Sequence, residues 1–421
     1  MKQAIYKHAA QGFAPLRSLG DRFSFSRKQP GVVSPARPEK HFTVLIAGGG
    51  VTGMAIGYGL ARQGIDVGIL DASSKKDRAS RSNMGLIWCQ SKALGNPDYV
   101  KWGFLSSRLF PDMTGEIEEL SGIDIAYAPS GGIIPCLGEE DFNRRARYID
   151  DLRVEAGGRY PGEMLSRPEL AKLLPKITFG NQVTGGTFCD RDGFVEPLKL
   201  MFALRQAMVR KGGTFLNNTR VTDITPMGDT AGGKNSGYIV TTKDRTYSCD
   251  RLVLAGGLGN CQLAGRFNVR VPITPDRGQV LLTERVGNIL PIPILGITRT
   301  PGGTIMVGFM HENVGTDTAL VPESVAREAL WAESVWPGIA DLRVIRCWSS
   351  LRVMPRDGFP IYDTLPGHPG IFLVNAHSAV TLAAVHARIL PGFIMGRDIT
   401  RELQGINLDR FRLNRFEQQP R

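Results

Sequence analysis

Three glycines between two apolar segments are the residues of this sequence whose spacing most clearly suggests chemistry. Residues 42–47 are apolar, Gly48-x-Gly50-x-x-Gly53 follows them, and after a helical pattern a second apolar run ends at Asp71. In a strand–turn–helix unit, Gly48 permits a tight turn, Gly50 lets the backbone approach a pyrophosphate, and Gly53 lets helix and strand pack closely. The pattern predicts a dinucleotide-binding βαβ unit, and a glycine-rich turn without a ligand is the alternative.

The start of the predicted helix and the acid after the second strand narrow the choice of ligand. Val51 and Thr52 open the helix, whose free N–H groups and positive dipole end attract phosphates. Asp71 lies 18 residues after Gly53, where a carboxylate accepts hydrogen bonds from a ribose and repels a 2′-phosphate. The sequence therefore favours FAD or NAD over NADP.

The composition is typical of a soluble globular protein with two domains. The 421 residues are 42% hydrophobic and 22% charged. No apolar run approaches the ~20 residues that a membrane-spanning helix needs. The six cysteines show no CxxC spacing, and the histidines show no metal-ligand pattern. We therefore expect no metal site on this chain, reduced thiols and a cytoplasmic location, with membrane association through a partner as an alternative.

The net charge of +11 is concentrated at the N-terminus, where residues 1–40 hold eight basic and two acidic residues. No recognition helix or aromatic–basic platform accompanies the charge, so we expect no nucleic-acid binding. The proline-containing, polar composition predicts a disordered tail. A transit peptide and a docking arm for a partner subunit are the alternatives.

The order of predicted elements indicates an α/β fold with a nucleotide domain assembled from separated segments. Strands alternate with helices at both ends of the chain, and an antiparallel meander is predicted over residues 271–307, with a hairpin over 123–137. Helices are predicted over 98–120, 142–156, 167–174, 196–211 and 380–394. The predicted divisions are a basic disordered tail (1–40), three FAD-binding segments (41–100, 186–270, 345–400), two substrate-domain segments (101–185, 271–344) and a C-terminal tail (401–421).

Six segments in order resemble the FAD-dependent D-amino-acid-oxidase/glycine-oxidase superfamily. They are the βαβ unit, ASRSNMGLIW (79–88), DRLVLAGG (250–257), VPITPDRGQVLLTER (271–285), CWSSLRVMPRDGFPIYD (347–363) and FLVNAHSAVTLAA (372–384). The resemblance implies FAD as cofactor, a Rossmann-type FAD-binding domain, and a substrate domain with a mixed or antiparallel sheet.

Within that superfamily the sequence is most similar to flavin subunits of heteromeric dehydrogenases. Hydrogen cyanide synthase, opine oxidase and D-hydroxyproline dehydrogenase are examples, and RCWSSLR, HSAVTLA and the DIT…RF ending carry the likeness. This resemblance implies oxidation of the CH–NH bond of an amino acid, imino acid or opine by hydride transfer to flavin N5. It also implies iron–sulfur or second flavin partner subunits.

The resemblance also implies roles for particular residues. Arg352 would bind the substrate carboxylate with its fork-shaped guanidinium, and Arg346 and Arg356 are competitors. His377 is an active-site candidate, although Ala376 stands where the family usually has glycine. Ser80, Arg81, Ser82 and Asn83 would line the pyrophosphate and flavin edge, without covalent flavin attachment.

The remaining implied positions are cofactor contacts and substrate-side candidates. Val221 would contact the adenine through its backbone, and Ala255, Gly256 and Gly257 would close over the dinucleotide. A helix beginning near Ser378 would stabilise negative charge on the flavin. The other candidates are Ala379, Val380 and Thr381 beside the cofactor and Met310 and His311 on the substrate side. A self-contained, H2O2-producing amine oxidase and a non-catalytic flavin-binding scaffold are the alternative functions.

Overall fold

The computed structural model describes residues 38–72, 78–90, 94–158, 160–228 and 237–417. The predicted basic tail, 1–40, lies almost wholly outside the described residues and stays a prediction. The strands are β1 (Lys40–Ala47), β2 (Val67–Leu70), β3 (Leu86–Ile87), β4 (Gly132–Leu137), β5 (Gly162–Ser166), β6 (Val183–Cys189), β7 (Gly193–Phe194), β8 (Thr214–Leu216), β9 (Val221–Pro226), β10 (Tyr238–Thr242), β11 (Thr246–Leu254), β12 (Ile273–Arg285), β13 (Ile297–Arg299), β14 (Thr304–Val307), β15 (Val344–Pro355), β16 (Ile361–Leu365) and β17 (His368–Asn375).

The α-helices lie between these strands and after them. They are α1 (Val51–Arg62), α2 (Ala79–Ser82), α3 (Pro97–Ser121), α4 (Glu139–Glu155), α5 (Arg167–Leu173), α6 (Pro197–Arg210), α7 (Asn260–Gly265), α8 (Pro322–Val335), α9 (Ala383–Arg388), α10 (Leu390–Met395) and α11 (Thr400–Leu403). Short 3₁₀ turns span Gly257–Gly259, Pro337–Asp341, Leu408–Phe411 and Leu413–Phe416.

The largest sheet contains the strands predicted to bind the dinucleotide. Its order is β16-β17-β11-β1-β2-β8, parallel from β17 to β8, with β16 antiparallel at one edge and β9–β10 attached to β11. Strand β1 is apolar from Val44 to Ala47, where both of its faces are covered. Val44 and Ile46 join the core under α1, α3 and α6, whereas Leu45 and Ala47 join a second core on the other face.

A second group of strands is antiparallel. A four-stranded sheet has the order β13-β14-β12-β15, and a three-stranded sheet has the order β4-β6-β5. A bridge between Ile133 and Ile294 connects the two. The predicted class, a Rossmann-type α/β part assembled from separated segments with a mixed or antiparallel part, is therefore confirmed.

The structure corrects the hairpin predicted over residues 123–137. Strand β4 pairs with β6, roughly fifty positions later in the chain, and not with the segment before it. The glycines at 131 and 132 do not form a hairpin turn; Gly131 has a φ of 76°, and a Cβ there would lie 2.4 Å from the Phe188 ring. Close packing, and not a local turn, accounts for glycine here.

The single helix predicted over residues 380–394 is also corrected. After β17 the chain makes turns, and α9 begins only at Ala383. The helix breaks at Ile389 and resumes as α10 with Pro391 in its first turn, because proline cannot donate the backbone hydrogen bond that a continuous helix needs. In the segment predicted as a C-terminal tail, Phe411 is fully buried and contacts the rings of Tyr99 and Tyr362.

Candidate functional site

The glycine turn between β1 and α1 is shaped by backbone contacts that exclude side chains. Gly48 has a φ of 122°, and a Cβ on it would lie 2.5 Å from the carbonyl oxygen of Ala255. A Cβ on Gly53 would lie 1.9 Å from the carbonyl oxygen of Gly48. Ser80 closes the turn from the other side, because its Oγ accepts a hydrogen bond from Val51 N at 3.0 Å. These contacts agree with the tight turn predicted at Gly48 and with the close helix–strand packing predicted at Gly53.

The acid after β2 lies directly beside this turn. Asp71 is 2% exposed, and a Cβ on Gly49 would lie 2.1 Å from its Oδ2. Arg78 donates two hydrogen bonds to the Asp71 carboxylate, one of them 2.7 Å long. The two residues line a cleft of about 40 Å³ that also contacts Arg81 and Phe215. The sequence analysis did not identify Arg78, because the position of Asp71 in the glycine motif does not indicate which residue pairs with it.

The second predicted cofactor segment forms a short helix and a turn next to the first. Asn83 donates to the carbonyl oxygens of Ala79 and Ser80 at 3.1 and 3.0 Å, and its own Oδ1 accepts from Gly85 N. Its side chain therefore fixes the turn itself. The carbonyl oxygen of Ser82 accepts a hydrogen bond from Trp348 Nε1 at 3.2 Å, which connects this turn to the four-stranded sheet.

The third predicted cofactor segment follows the end of β11. Gly256 N donates to Asn260 Oδ1 at 2.8 Å, and Asn260 Nδ2 donates to Asn375 Oδ1 at 2.9 Å. Asn375 in turn donates to the carbonyl oxygen of Gly257, whose φ is 60°. These two buried asparagines were not predicted; they join the ends of β11 and β17. Val221 lies elsewhere, at the start of β9 and opposite Thr242.

The turn after β17 holds the last predicted cofactor residues and His377. His377 is half-buried, with Nδ1 3.5 Å from Ser378 Oγ. Thr381 is 2% exposed; its Oγ1 accepts from Trp88 N at 3.0 Å and contacts the carbonyl oxygen of Leu86 at 3.4 Å. A hydroxyl at this position therefore connects two of the predicted cofactor segments. Ala379 and Val380 complete the turn, so the predicted helix start near Ser378 is replaced by a turn.

One face of the four-stranded sheet is turned toward the second cofactor segment. Val280 and Trp348 are opposite each other on β12 and β15, and both pack with Met84 and Met306. Side chains two positions apart on a strand share a face. We call the face of β12 and β15 that carries Val280 and Trp348 the inner face.

Arg352 lies on the inner face. Its Nη1 donates to the carbonyl oxygens of Met310 at 3.1 Å and Arg277 at 3.3 Å, and lies 3.7 Å from Asp276 Oδ1. The guanidinium lies over Gly278, where a Cβ would come 2.5 Å from its carbon atom. Its side chain is 23% exposed. The arginine is thus held in place and still reaches solvent, as a carboxylate-binding group requires.

The other two substrate-side candidates meet Arg352 through an aspartate. His311 Nδ1 is hydrogen-bonded to Asp276 Oδ2, and Glu312 N donates to Asp276 Oδ1 at 3.1 Å. The structure therefore gathers Arg352, Met310 and His311 around Asp276. Sequence reasoning missed this aspartate, because its place opposite Arg352 depends on the register of two strands that are far apart in sequence.

A buried carboxylate fixes the strand end that carries these candidates. The two oxygens of Glu328, on α8, accept hydrogen bonds from Phe309 N and Met310 N, each 2.8 Å long. Burial raises the pKa of Glu328, while these two hydrogen bonds and the Arg352 charge oppose that rise. Glu328 acts on the backbone and so positions the Met310 carbonyl that Arg352 contacts.

The opposite face of the same strands carries a charged network of its own. Arg277 is 4% exposed and pairs with Glu312 at 2.9 Å and Asp317 at 2.7 Å. Burial opposes ionisation of Glu312, yet hydrogen bonds from Arg277, Ser324 and Gln279 hold its pKa below the usual value. This network anchors the segment that follows His311.

The two competing arginines have other surroundings. Arg346 is exposed and lies over the ring of Trp348, with 5.8 Å from its guanidinium carbon to the ring centroid. Arg356 is exposed and donates to the carbonyl oxygen of Phe416. Of the three, Arg352 is the one the structure brings to Met310 and Asp276.

The cofactor-side residues fit an adenine dinucleotide. The turn at Gly48 and Gly53 leaves no room for side chains, the amino end of α1 follows it, and the Asp71 carboxylate lies alongside. No helix of the described residues combines the length and the apolar character needed to cross a membrane. In the same described part of the chain, His, Cys, Asp and Glu form no group of three suited to a metal ion.

Comparison with known proteins agrees with this geometry. The family model DAO, FAD dependent oxidoreductase, matches residues 43–390. A subunit of the opine oxidase of Rhizobium meliloti is 35% identical over 370 residues, which are 87% of this chain and 96% of that protein. The HcnC subunit of the hydrogen cyanide synthase of Pseudomonas protegens is 23% identical over 90% of this chain and 98% of that protein.

A solved structure supports the same assignment at the level of fold. Glycine oxidase from Geobacillus kaustophilus superimposes with a TM-score of 0.79 at 23% identity, over 89% of this chain and 99% of that chain. At that identity the likeness concerns the fold alone. The family model and the opine oxidase relative cover most of the chain, and the predicted resemblance, the FAD cofactor and the assignment as an enzyme are confirmed. The chain belongs to the DAO family of FAD-dependent oxidoreductases.

Proposed function

We propose that this chain is the flavin subunit of a heteromeric dehydrogenase that oxidises the CH–NH bond of an opine or a related amino or imino acid. The observation that carries the proposal is the position of Arg352 on the inner face, which is turned toward the cofactor segment around Ser82 and Met84. A carboxylate held there lies between the two parts of the molecule. Two relatives are named as subunits of opine oxidase and hydrogen cyanide synthase, which supports a multi-subunit enzyme.

The residues of this chain supply binding and orientation. FAD would be held by Asp71, at a ribose, and by four turns: Gly48–Gly53, Ser80–Asn83, Ala255–Gly257 and Ser378–Thr381. Once bound, it would accept a hydride from the carbon next to the substrate amine. Arg352 would clamp the substrate carboxylate through two parallel hydrogen bonds. His377, in the turn after β17, is the candidate that borders the cofactor, and Val221 would contact the adenine through its backbone.

The partner subunits are part of the proposal. We infer iron–sulfur or second flavin subunits that take electrons from this chain in the cytoplasm, because cofactor chemistry of this kind needs an acceptor after each turnover. The alternative is a self-contained oxidase that uses oxygen and releases H2O2. The two differ in what reoxidises the protein.

The test is anaerobic titration of the purified, FAD-loaded chain with a panel of amines. The panel contains octopine, nopaline, D-hydroxyproline, glycine, sarcosine and proline. We expect one compound to bleach the flavin absorption at about 450 nm, since reduced flavin lacks that band. Fast reoxidation by an artificial dye with slow reoxidation by air would support a dehydrogenase.

Three results would contradict the proposal in different ways. Fast reoxidation by air with stoichiometric H2O2 would identify an oxidase. Bound flavin that no amine bleaches, also after co-expression with partner subunits, would point to a scaffold. Failure to bind FAD at all would remove the cofactor site.

A further inference from the structure

We propose that His311, held by Asp276, accepts the proton of the substrate amine before the carbon–hydrogen bond is broken. The proposal rests on the proposed function and adds a proton acceptor and a positioning residue to it. In this arrangement Arg352 takes the carboxylate and His311 takes the proton of the neighbouring amine. Asp276 lies between the two and orients both.

The chemistry requires an amine that has lost its extra proton. An aliphatic amine is mostly protonated at neutral pH, and an ammonium group has no lone pair with which to form the C=N bond. In the proposed step an N–H bond of the ammonium breaks and an Nε2–H bond forms on His311. The positive charge thereby moves from substrate to imidazole, and no further reactant is needed.

The geometry places the imidazole for this task. Asp276 Oδ2 accepts the hydrogen bond of His311 Nδ1, and in that tautomer the lone pair is on Nε2. The other oxygen, Oδ1, accepts from Glu312 N at 3.1 Å and lies 3.7 Å from Arg352 Nη1. The His311 and Arg352 side chains are 25% and 23% exposed, respectively, so both reach solvent, and both contact Asp276, which lies opposite Arg352 in the sheet.

The charged groups around the imidazole come from three elements of the fold. On β12, Asp276 is the carboxylate in contact with His311, and Arg277 is paired behind the sheet with Glu312 and Asp317. From β15, Arg352 contributes a positive charge. On α8, burial raises the pKa of Glu328, which binds the backbone of the segment before His311.

Asp276 and Arg352 would have different roles in the proton transfer. A carboxylate in hydrogen-bond contact stabilises the imidazolium that proton transfer creates. The arginine, which opposes it, is neutralised when it binds the substrate carboxylate.

The first test is the pH dependence of flavin reduction in the full FAD-loaded chain, measured anaerobically by stopped flow. For His311→Gln we expect a loss of about a hundredfold or more near neutral pH, the usual contribution of a positioned base. The ascending limb of the rate profile should move to higher pH, because the amine must then lose its proton to solvent. Asp276→Asn should give a smaller loss in the same direction.

His41→Gln is the matched control. This histidine also contacts an aspartate, Asp250, at 3.2 Å, but lies at the start of β1 with a side chain that is 52% exposed. Its replacement should leave both the rate and the pH profile unchanged.

The second test measures binding without turnover. α-Aminoisobutyrate has an amine and a carboxylate but no hydrogen on its α-carbon, and isobutyrate has the carboxylate alone. By calorimetry, His311→Gln should weaken binding of α-aminoisobutyrate about fivefold, the value of one hydrogen bond. Binding of isobutyrate should change less than about twofold by the same reasoning.

The outcomes separate this proposal from the proposed function. A wild-type chain that no amine reduces would overturn both. A wild-type chain that is reduced, with a His311→Gln variant of unchanged pH profile, would overturn the proton acceptor alone. Equal weakening of both binding probes would also overturn it, because the histidine would then serve the carboxylate or the fold.

Discussion

The cofactor side and the substrate side of the candidate site are built by different means. On the cofactor side, backbone groups and glycines within residues 48–53 form the turn, and a Cβ on Gly48 or Gly53 would strike the backbone. On the substrate side, ionisable side chains from four distant segments come together: Asp276, His311, Glu328 and Arg352. The cofactor side is therefore formed by residues close together in the sequence and is determined by steric contacts. The substrate side is formed by residues far apart in the sequence and is determined by electrostatic contacts.

Both sides also contain buried polar groups. In the part with the parallel sheet, Asp71 is paired with Arg78, and His386 is fully buried, where burial lowers its pKa to about 3. In the antiparallel part, Arg277 and Glu312 are charged and paired with each other. Buried charge therefore does not distinguish the two sides, whereas the backbone contacts of the glycine turn do. We expect substitutions at that turn to act mainly through shape, and substitutions on the substrate side to act mainly through charge and orientation.

The largest effect should follow from Gly53→Ala. The added Cβ would lie 1.9 Å from the carbonyl oxygen of Gly48, which is backbone and cannot rotate away. The helix must shift, and FAD binding should be lost, which the flavin absorbance per protein after gel filtration would measure. Gly103→Ala in α3 is the control, since a Cβ there meets no atom within 4 Å. Normal FAD content in Gly53→Ala would refute the steric account.

A smaller but still large effect should follow from Arg352→Ala. Removing one partner of a buried charge pair costs roughly 2–5 kcal/mol, so kcat/KM should fall by about thirtyfold or more. The FAD content should stay normal, because Arg352 lies on the inner face of the other sheet. Arg343→Ala, with a side chain that is 85% exposed, should have no such effect. An equal loss in both variants would argue against a specific carboxylate clamp.

The same difference explains which features the sequence could predict. The glycine motif and Asp71 are predictable because their spacing within one βαβ unit fixes their positions. Asp276 was not predictable, because it reaches Arg352 only through the pairing of β12 with β15. The hairpin over 123–137 was wrong for the same reason: β4 finds its partner in β6, which adjacent residues do not indicate.

The third prediction tests the difference between the two sides by introducing a steric change, Gly278→Ala, on the substrate side. In Gly278→Ala the new Cβ would lie 2.5 Å from the guanidinium carbon of Arg352. A side-chain end can move, so the fold should be kept while the arginine is displaced. We expect KM for the substrate to rise by about tenfold, about 1.4 kcal/mol of binding free energy, with unchanged FAD content and Tm. A large loss of Tm would show that this side is as rigid as the glycine turn.

The smallest effect concerns pH and the buried histidine of the cofactor part. His386 Nε2 is 2.8 Å from the Tyr362 hydroxyl, which also accepts a hydrogen bond from Trp102 Nε1 at 3.1 Å. Burial lowers the pKa of His386 from 6.5 to about 3. Between these values the unfolded chain binds the extra proton and the folded chain does not. Stability is therefore lost as pH falls below about 6.5, by roughly 1 kcal/mol per pH unit.

Urea unfolding of the FAD-saturated protein at about pH 7, above both pKa values, and at about pH 5.5, between them, measures this loss of stability. His386→Gln should be less stable than wild type near neutral pH, because a buried hydrogen bond is lost, yet should lose less of its stability on acidification. His41→Gln should keep the wild-type slope, since that side chain is 52% exposed. If His386→Gln also kept it, the buried histidine would not be the source of the acid sensitivity between these two pH values. Glu312 could not replace it as the source, because its pKa is held below the usual carboxylate value and its contribution is lost only at lower pH.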